Sequence, residues 1–172
     1  MSAADGLVRA MAVTVSNRAA AGVYADRSGP VLVELLADLG CHVDGPVVIP
    51  DGEPVAEVLA DAVAARYDVV VTTGGTGLTP TDQTPEMTRR VIEREVPGIA
   101  EAIRQQGRAV VPAAILSRGL AGVAGRTLIV NLPGSTGGVR DGMAVLGPVL
   151  FHAVQQIAGG DHPRADGVTG GN

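Results

Sequence analysis

Short apolar runs alternate with helical patterns along this chain, and that alternation limits the folds it can adopt. Apolar runs at 8–15, 43–49, 69–73 and 127–131 are each followed by apolar residues at helical spacing. A further run at 119–123 is predicted to be an edge strand or part of a hairpin. Strands that alternate with amphipathic helices favour a parallel sheet covered on both faces. The sequence therefore predicts a three-layer α/β/α fold with a mainly parallel sheet.

Two later helices are predicted from helical spacing and from proline. Thr84 is predicted to be the N-cap of a helix over 85–95. Pro97 is predicted to break that helix before a shorter one begins. The helical pattern over 139–157 is long, and Pro148 is expected to split or kink it.

Length and composition indicate one domain with an aliphatic core. The 172 residues predict a single domain over 1–158, followed by a disordered tail over 159–172 that is rich in glycine and polar residues. Hydrophobic residues make up 46% of the chain but aromatic residues only 2%. Because aromatic side chains stack on nucleic-acid bases, this composition argues against a single-strand binding surface.

The charges and the cysteine count exclude several kinds of site. The net charge is −5, which argues against binding to nucleic acid or to an anionic membrane. Every basic residue is arginine, so no lysine is present to act as a phosphate-binding or Schiff-base residue. Cys41 is the only cysteine, which excludes a disulfide framework and fits a reducing compartment. No apolar run reaches the length of a membrane span, so the protein is predicted to be soluble, and the single cysteine fits a cytoplasmic location.

A glycine loop, Thr73-Gly74-Gly75-Thr76-Gly77, follows the apolar run at 69–73. Its glycines can adopt positive φ angles and bring the backbone close to a ligand, which suits a phosphate or another oxyanion. The alternative is a plain strand-to-helix turn with no ligand. Asp82 stands close behind, and a carboxylate beside an anion site is favourable when a cation bridges the two. The combination predicts a nucleotide bound with Mg²⁺.

Ligands of parallel α/β sheets bind beyond the carboxyl ends of the strands, so the loops that leave those ends should converge. Three of the loops contain an aspartate, namely Asp26, Asp51 and Asp82. Each aspartate could equally be an ordinary capping or turn residue. The loops expected to form one crevice are 16–28, 50–53, 74–84 and 133–139.

Three segments of the chain match the motifs of a known family. They are Ser16-Asn17-Arg18 with Asp26-Arg27-Ser28-Gly29-Pro30, Thr73-Gly74-Gly75-Thr76-Gly77 with Asp82 and Thr84, and Asn131-Leu132-Pro133-Gly134-Ser135. These segments resemble those of the molybdopterin adenylyltransferases of molybdenum cofactor synthesis, the Mog and MoaB type that includes the gephyrin G domain. The resemblance covers nearly all of residues 8–158. It implies the fold of that family and the transfer of AMP from ATP to the terminal phosphate of molybdopterin, with Mg²⁺ present and pyrophosphate released.

The resemblance also implies roles for individual residues. Asp51 and Asp82 match the two acids that the family ties to catalysis, and they would hold Mg²⁺. Arg18 or Arg118 would either contact a phosphate or form a structural salt bridge. The family further implies a homotrimer and allows for a partner enzyme that inserts molybdate. The predicted substrate-binding residues are Ser16, Asp26, Ser28, Thr73, Gly74, Gly75, Thr76, Gly77, Pro133, Gly134 and Ser135.

The chain departs from the family pattern at two places, and two other functions stay open. Asn17 stands where many relatives have aspartate, and Thr136-Gly137-Gly138 stands where they often have Pro-Lys-Ala. Backbone N–H groups of Gly137 and Gly138 at a helix start could replace the lysine as an anion contact. One alternative is a molybdopterin-binding protein of the same fold without activity. The other is a CinA-type hydrolase of nucleotide pyrophosphates.

Overall fold

The computed structural model describes residues 6–160, and a six-stranded sheet forms the middle of that part of the chain. The strands are β1 Arg9–Val15, β2 His42–Ile49, β3 Val69–Thr73, β4 Arg94–Glu95, β5 Ala121–Ala124 and β6 Thr127–Leu132. Their order across the sheet is β2-β1-β3-β6-β5-β4. The first four strands in this order pair in parallel, whereas β5 pairs antiparallel with both β6 and β4. The prediction of a mainly parallel sheet is therefore confirmed.

Helices cover both faces of the sheet because successive strand side chains point to opposite sides. The helices are α1 Asn17–Ala20, α2 Ser28–Asp38, α3 Glu53–Ala64, α4 Thr84–Val91, α5 Pro97–Arg108 and α6 Thr136–Ile157, with a 3₁₀ turn at Pro112–Leu116. On one face, Val69 and Val71 of β3 share a buried cluster with residues of α2, α5 and α6. On the other face, Val70 shares a cluster with residues of α3 and α4. The three layers that the sequence predicts are present.

The register of the parallel strands brings their carboxyl ends level with one another. Thr73 at the end of β3 pairs with Thr14 of β1 and with Leu132 of β6. Val15 in turn pairs with Ile49 at the end of β2. All five residues of β3 are buried, and the strand contributes side chains to both hydrophobic clusters. The four loops that follow these strands consequently leave the sheet at the same edge.

The helix predicted over 85–95 is wrong at its C-terminal end. Helix α4 stops at Val91, and Ile92 already has an extended backbone. The amide of Glu93 donates to the carbonyl of Val123, and the amide of Val96 donates to the carbonyl of Ala121. Hydrogen bonds to β5 therefore replace the helical ones, and the short strand β4 forms where the apolar spacing predicted more helix.

Other boundaries also differ from the sequence prediction. Helix α5 has 12 residues, so the short helix expected after the break at Pro97 is wrong. Strand β5 forms the predicted hairpin with β6, but β4 pairs with its other side, so it is not an edge strand. Helix α6 begins at Thr136 and continues through Pro148 as one element, so the expected split is wrong. The predicted tail over 159–172 lies outside the described residues, apart from Gly159 and Gly160.

The longest helix of the described part of the chain, α6, has 22 residues. Over residues 6–160, no helix combines the length and the apolar character that crossing a membrane requires. The buried side chains of α6, which include Val139, Leu146 and Leu150, pack against one face of the sheet.

Candidate active site

The loops after β1, β2, β3 and β6 surround a polar cavity of about 800 Å³. It lies at the carboxyl edge of the parallel strands, where the topology predicts a ligand site. Tyr24, Arg27, Thr79 and Thr81, which the sequence did not single out as site residues, also lie on its wall. The predicted site residues that line it are Ser16, Asp26, Ser28, Asp51, Thr73, Gly74, Gly75, Asp82, Gly134 and Ser135.

A second cavity of about 480 Å³ lies on the other side of the glycine loop. The remaining predicted residues, Thr76, Gly77 and Pro133, line this cavity. Its opposite wall is apolar and was not predicted. That wall includes Ile103, Val110, Val111, Ala113, Ala114 and Leu116. Both cavities are lined by Gly75, Asp82, Gly134 and Ser135, so they meet at these residues.

The carboxylate of Asp51 connects two loops of the site. Its Oδ1 accepts hydrogen bonds from the amide of Gly52 at 2.7 Å and from the hydroxyl of Thr84 at 3.1 Å. Its Oδ2 accepts one from the amide of Gln83 at 2.9 Å. Thr84, predicted to be the N-cap of α4, is instead the first residue of that helix. Asp51 therefore joins the loop after β2 directly to the N-terminus of α4.

Gly74 and Gly75 both have positive φ angles and are in close contact with other parts of the protein. A Cβ atom on Gly75, where φ is +67°, would lie 2.1 Å from Thr84 Oγ1 and 2.3 Å from Asp51 Oδ2. A Cβ on Gly74, where φ is +99°, would lie 2.2 Å from the carbonyl oxygen of Val15. The two glycines thus make room for intramolecular contacts, of which the Asp51–Thr84 pair is the nearest to the cavity.

Asp82 has more open coordination than Asp51. Its Oδ2 accepts a hydrogen bond from the amide of Thr79 at 3.1 Å. Within the described residues, its Oδ1 accepts none. A Cβ on Gly77 would lie 2.8 Å from Asp82 Oδ2, so the carboxylate packs directly against the glycine loop. Asp82 is the acid whose oxygen is available to a ligand or a metal ion.

Two predicted serines cap helices at the cavity rim. Ser16 Oγ accepts from the amide of Ala19 at 3.2 Å and caps α1. Ser135 Oγ accepts from the amide of Gly138 at 2.9 Å and caps α6. In this structure the Gly138 amide already donates to Ser135 Oγ, so an anion at this helix start would compete with the serine for that hydrogen. These serines shape the loops that line the cavities.

Asp26 and Thr73 also make hydrogen bonds within the protein. Asp26 Oδ1 accepts from the amide of Gly29 at 3.0 Å, and Oδ2 accepts from the hydroxyl of Thr14 at 2.8 Å. The hydroxyl of Thr73 donates to the carbonyl of Pro133 at 2.7 Å. Thr73 thereby joins the glycine loop to the loop after β6. Its hydroxyl donor is committed to that link and is not offered to a ligand.

The arginines near the site differ in what they contact. Arg18 and Arg27 line the polar cavity, and neither forms an ion pair with another described residue. The guanidinium of Arg118 instead donates to backbone carbonyls and to Glu86. For Arg118, the salt-bridge alternative is the one observed. Arg18 and Arg27 supply the positive charge of the polar cavity.

The carboxylates of Asp51 and Asp82 are the candidate Mg²⁺ ligands of the polar cavity. Mg²⁺ in proteins commonly uses one or two carboxylates and completes its shell with phosphate oxygens and water. Asp51 and Asp82 both line the polar cavity, and Asp82 has a free carboxylate oxygen, so the pair fits this pattern. Over residues 6–160, no cluster of three or more His, Cys, Asp or Glu side chains is placed to hold a metal ion. A metal held here would therefore depend on its ligand for part of its shell.

Comparison with known proteins finds close relatives of this architecture. A family described as "Probable molybdopterin binding domain" matches residues 11–152. The Mog protein of molybdopterin biosynthesis from Mycobacterium ulcerans is 49% identical, and the match covers 89% of this chain and 98% of that one. The TM-score between the two structures is 0.84.

Curated relatives extend this comparison. The molybdopterin adenylyltransferase of Helicobacter pylori strain J99 is 36% identical over 154 residues, which is 86% of this chain and 86% of that protein. A molybdenum cofactor biosynthesis bifunctional protein of Chlorobaculum tepidum is 37% identical over 163 residues, which is 94% of this chain but 52% of that protein. The chain thus spans about half the length of the bifunctional relatives that it matches.

The different bonding of the two acids predicts different effects on stability. Asp51→Asn should lower the free energy of unfolding by roughly 1–3 kcal/mol, because an amide cannot accept all three hydrogen bonds. Asp82→Asn should change it by less than about 0.5 kcal/mol, because its carbonyl oxygen can still accept from Thr79. Urea unfolding of both variants at one protein concentration measures the difference. Equal losses in the two variants would contradict the structural role of Asp51.

The contacts of Gly75 predict that it cannot be replaced even by alanine. Gly75→Ala combines a positive φ with a collision against Asp51 and Thr84, so it should destabilise the fold by about 2 kcal/mol or more. Gly137→Ala is the matched control, since a Cβ there meets nothing within 4 Å inside α6. It should stabilise the protein by roughly 0.5–1 kcal/mol. Thermal or urea unfolding should show opposite signs, and a neutral Gly75→Ala would refute the steric argument.

Proposed function

The chain belongs to the family of probable molybdopterin-binding domains, and on that premise we propose that it is a molybdopterin adenylyltransferase. In this proposal AMP passes from ATP to the terminal phosphate of molybdopterin, and pyrophosphate is released. The observation that supports it best is the pair of cavities that meet at Asp82 and Gly75. A transfer reaction requires two substrates held side by side, and two adjoining cavities of different character suit that requirement.

The polar cavity is the proposed site of the nucleotide. Arg18 and Arg27 line it without competing ion pairs among the described residues, and guanidinium groups bind phosphate oxygens in a bidentate manner. Tyr24 and Ser16 share a hydrogen bond of 3.2 Å on the same wall. With no lysine in the chain, arginine side chains and backbone N–H groups are left to bind the phosphates.

The second cavity is the proposed site of the pterin. A flat organic ring gains free energy from contact with apolar side chains, and Ile103, Val110 and Val111 provide such a wall. The terminal phosphate of the same substrate would lie toward Gly75 and Asp82, where the two cavities meet. Its nucleophilic oxygen would then face the α-phosphate of the nucleotide in the neighbouring cavity.

Adenylyl transfer depends more on the positioning of the two substrates than on acid–base catalysis. An oxygen of the molybdopterin phosphate attacks the α-phosphorus of ATP, and the bond to the pyrophosphate oxygen breaks. A phosphate is already anionic near neutral pH, so no general base is needed. Asp51 and Asp82 would hold Mg²⁺, which neutralises phosphate charge when it is bound. Asp51 is fixed by its three hydrogen bonds before any substrate arrives, and Asp82 presents its free oxygen to the junction.

Two other functions compete with this proposal. A protein that only binds molybdopterin would need neither a second cavity nor the pair of acids. A CinA-type hydrolase would cleave a nucleotide pyrophosphate with water and would have no use for the apolar wall. The presence of both cavities, with Asp82 lining both and Asp51 lining the polar one, favours the transferase.

The proposal predicts that pyrophosphate release from ATP depends on molybdopterin. Incubation of the protein with ATP, Mg²⁺ and molybdopterin should give adenylylated molybdopterin, detected by mass spectrometry. Asp82→Asn should slow this transfer by about 100-fold or more, as is typical when a group that stabilises the transition state is lost. Asp61→Asn, an exposed carboxylate on α3, is the control and should leave the rate unchanged.

The same assay distinguishes the competing functions. Pyrophosphate release without molybdopterin would identify a hydrolase, and binding of molybdopterin without any release would identify a binding protein. Either result would refute the transferase. Full turnover by Asp82→Asn, with transfer otherwise observed, would refute the role of that carboxylate alone.

We further propose a homotrimer in the cytoplasm, with the number of subunits taken from the family resemblance. The structural support is an apolar patch formed by Val110, Val111, Ile115 and Leu116, which are 51–67% exposed. Three of these residues also line the second cavity, so a neighbouring subunit would adjoin the proposed pterin site. Patches of this kind are uncommon on monomers. A reducing compartment also fits the single cysteine, Cys41.

Sedimentation equilibrium at micromolar concentration should give about three times the 17.3 kDa chain mass if the trimer forms. Ile115→Glu should then lower the mass toward that of a monomer, because a charge in a buried interface is costly. Leu7→Glu, also at an exposed apolar residue, is the control and should leave the mass unchanged. A monomeric wild-type protein would contradict the proposal for assembly while leaving the site intact.

A further inference from the structure

The loop that presents Asp82 is exposed and closes mainly on itself. Between Gly77 and Asp82 the chain passes through four exposed residues, of which Leu78 is 65% exposed. The amide of Asp82 donates to the carbonyl of Thr79 at 3.0 Å, and the amide of Thr79 donates back to Asp82 Oδ2 at 3.1 Å. These two bonds form a turn, but they do not fix its orientation relative to the sheet.

Arg118, which lies outside the loop, connects the loop to the rest of the protein. Its Nε donates to the carbonyl of Gly77 at 2.9 Å, and its Nη2 donates to the carbonyl of Asp82 at 2.8 Å. Its backbone amide donates to the carbonyl of Thr76 at 2.8 Å. The Arg118 side chain therefore donates hydrogen bonds to both ends of the exposed loop. Its backbone amide also donates to Thr76, the residue before Gly77.

Arg118 is itself held in place. Its Nη1 forms an ion pair with Glu86 in the first turn of α4, next to the end of the same loop. Burial tends to raise the pKa of Glu86, but the hydrogen bond from Arg118 and its charge bring that pKa below the usual value. Glu86 therefore stays ionised at neutral pH. On the other side, Arg104 donates to the carbonyl of Gly119 at 2.8 Å and fixes the backbone next to Arg118.

These contacts distinguish Arg118 from a substrate-binding arginine. It lines neither of the two cavities at the site. All three nitrogens of its guanidinium already donate to protein oxygens. The planar fork matches the two carbonyls and the carboxylate, a geometry that the single ammonium of lysine cannot reproduce.

We infer that Arg118 is a positioning residue, which fixes the orientation of the Asp82 carboxylate by bridging the carbonyls of Gly77 and Asp82. The effect on turnover rests on the proposed adenylyl transfer, whereas the effect on the loop does not. Without the bridge, the turn at 78–81 would lose its fixed orientation, and its two internal hydrogen bonds would open more often. Asp82 would then spend less time in the geometry required at the junction of the two cavities.

Hydrogen exchange tests the effect on the loop without any assay of activity. In Arg118→Gln, exchange of the Thr79 and Asp82 amides, which donate the hydrogen bonds within the loop, should accelerate by about tenfold or more, because local opening becomes easier. Arg89→Gln is the matched control, since Arg89 forms one surface ion pair with Glu95 and does not contact the loop. It should leave these amides unchanged. Glu86→Gln removes only the anchor of Arg118 and should give a smaller change in the same direction.

Kinetics test the consequence for catalysis. Arg118→Gln should lower kcat for adenylyl transfer by about tenfold or more while KM for ATP changes by less than about threefold, since no substrate contact is removed. Arg118→Lys should not restore kcat, because it retains the charge without the fork. In the Asp82→Asn background, Arg118→Gln should add little further loss, because both changes act through one carboxylate.

The outcomes separate the two proposals. Unchanged exchange over 77–82 in Arg118→Gln would overturn the positioning role, and so would full recovery of kcat in Arg118→Lys. If the wild-type protein shows no adenylyl transfer, the proposed function fails, and exchange alone decides on Arg118. The positioning role would be supported if Arg118→Gln loses protection only in the loop and Arg89→Gln loses none there.

Discussion

The hydrogen-bonded carboxylate of Asp51 is the contact on which the shape of the site depends. It joins the loop after β2 to the first residues of α4, and the missing side chain of Gly75 leaves room for it. An acid held by two backbone amides and a hydroxyl is oriented before any ligand is present, which lowers the reorganisation needed during a reaction. The two acids of the site therefore differ. Both oxygens of Asp51 accept hydrogen bonds within the protein, whereas among the described residues only Oδ2 of Asp82 accepts one.

A buried polar network relates this junction to the rest of the sheet. The side-chain nitrogen Nδ2 of Asn131 donates to the hydroxyls of Thr72 and Thr88, each at 3.0 Å. The side-chain oxygen Oδ1 accepts from the backbone amide of Leu120 at 3.2 Å. Among the described residues, no buried side-chain nitrogen or oxygen is left without a partner. A fully satisfied network of this kind specifies one arrangement of the elements it joins. Strands β3 and β6, helix α4 and the segment that carries Arg118 are thereby fixed relative to one another.

Sequence patterns predicted the strands and the meeting of their loops, because apolar periodicity reports which residues are buried and parallel topology then fixes where loops emerge. Periodicity does not report which distant residues form hydrogen bonds with one another. The bond between Asp51 and Thr84 joins residues 33 apart, and that between Arg118 and Gly77 joins residues 41 apart. The apolar wall at 110–116 was missed because a 3₁₀ turn has no long apolar repeat. The end of α4 was misplaced because pairing with β5 outweighed helical spacing there.

The low aromatic content has an optical consequence at the polar cavity. The chain has two tyrosines and no tryptophan, so tyrosine alone provides its near-ultraviolet emission. Tyr67 is 8% exposed and donates to Asp44 at 2.6 Å, whereas Tyr24 is 53% exposed on the cavity wall. A ligand that fills the polar cavity changes the surroundings of Tyr24 and leaves Tyr67 within its hydrophobic cluster. Occupancy of the cavity should therefore change the contribution of Tyr24 to the emission over a constant contribution from Tyr67, with no label attached to the protein.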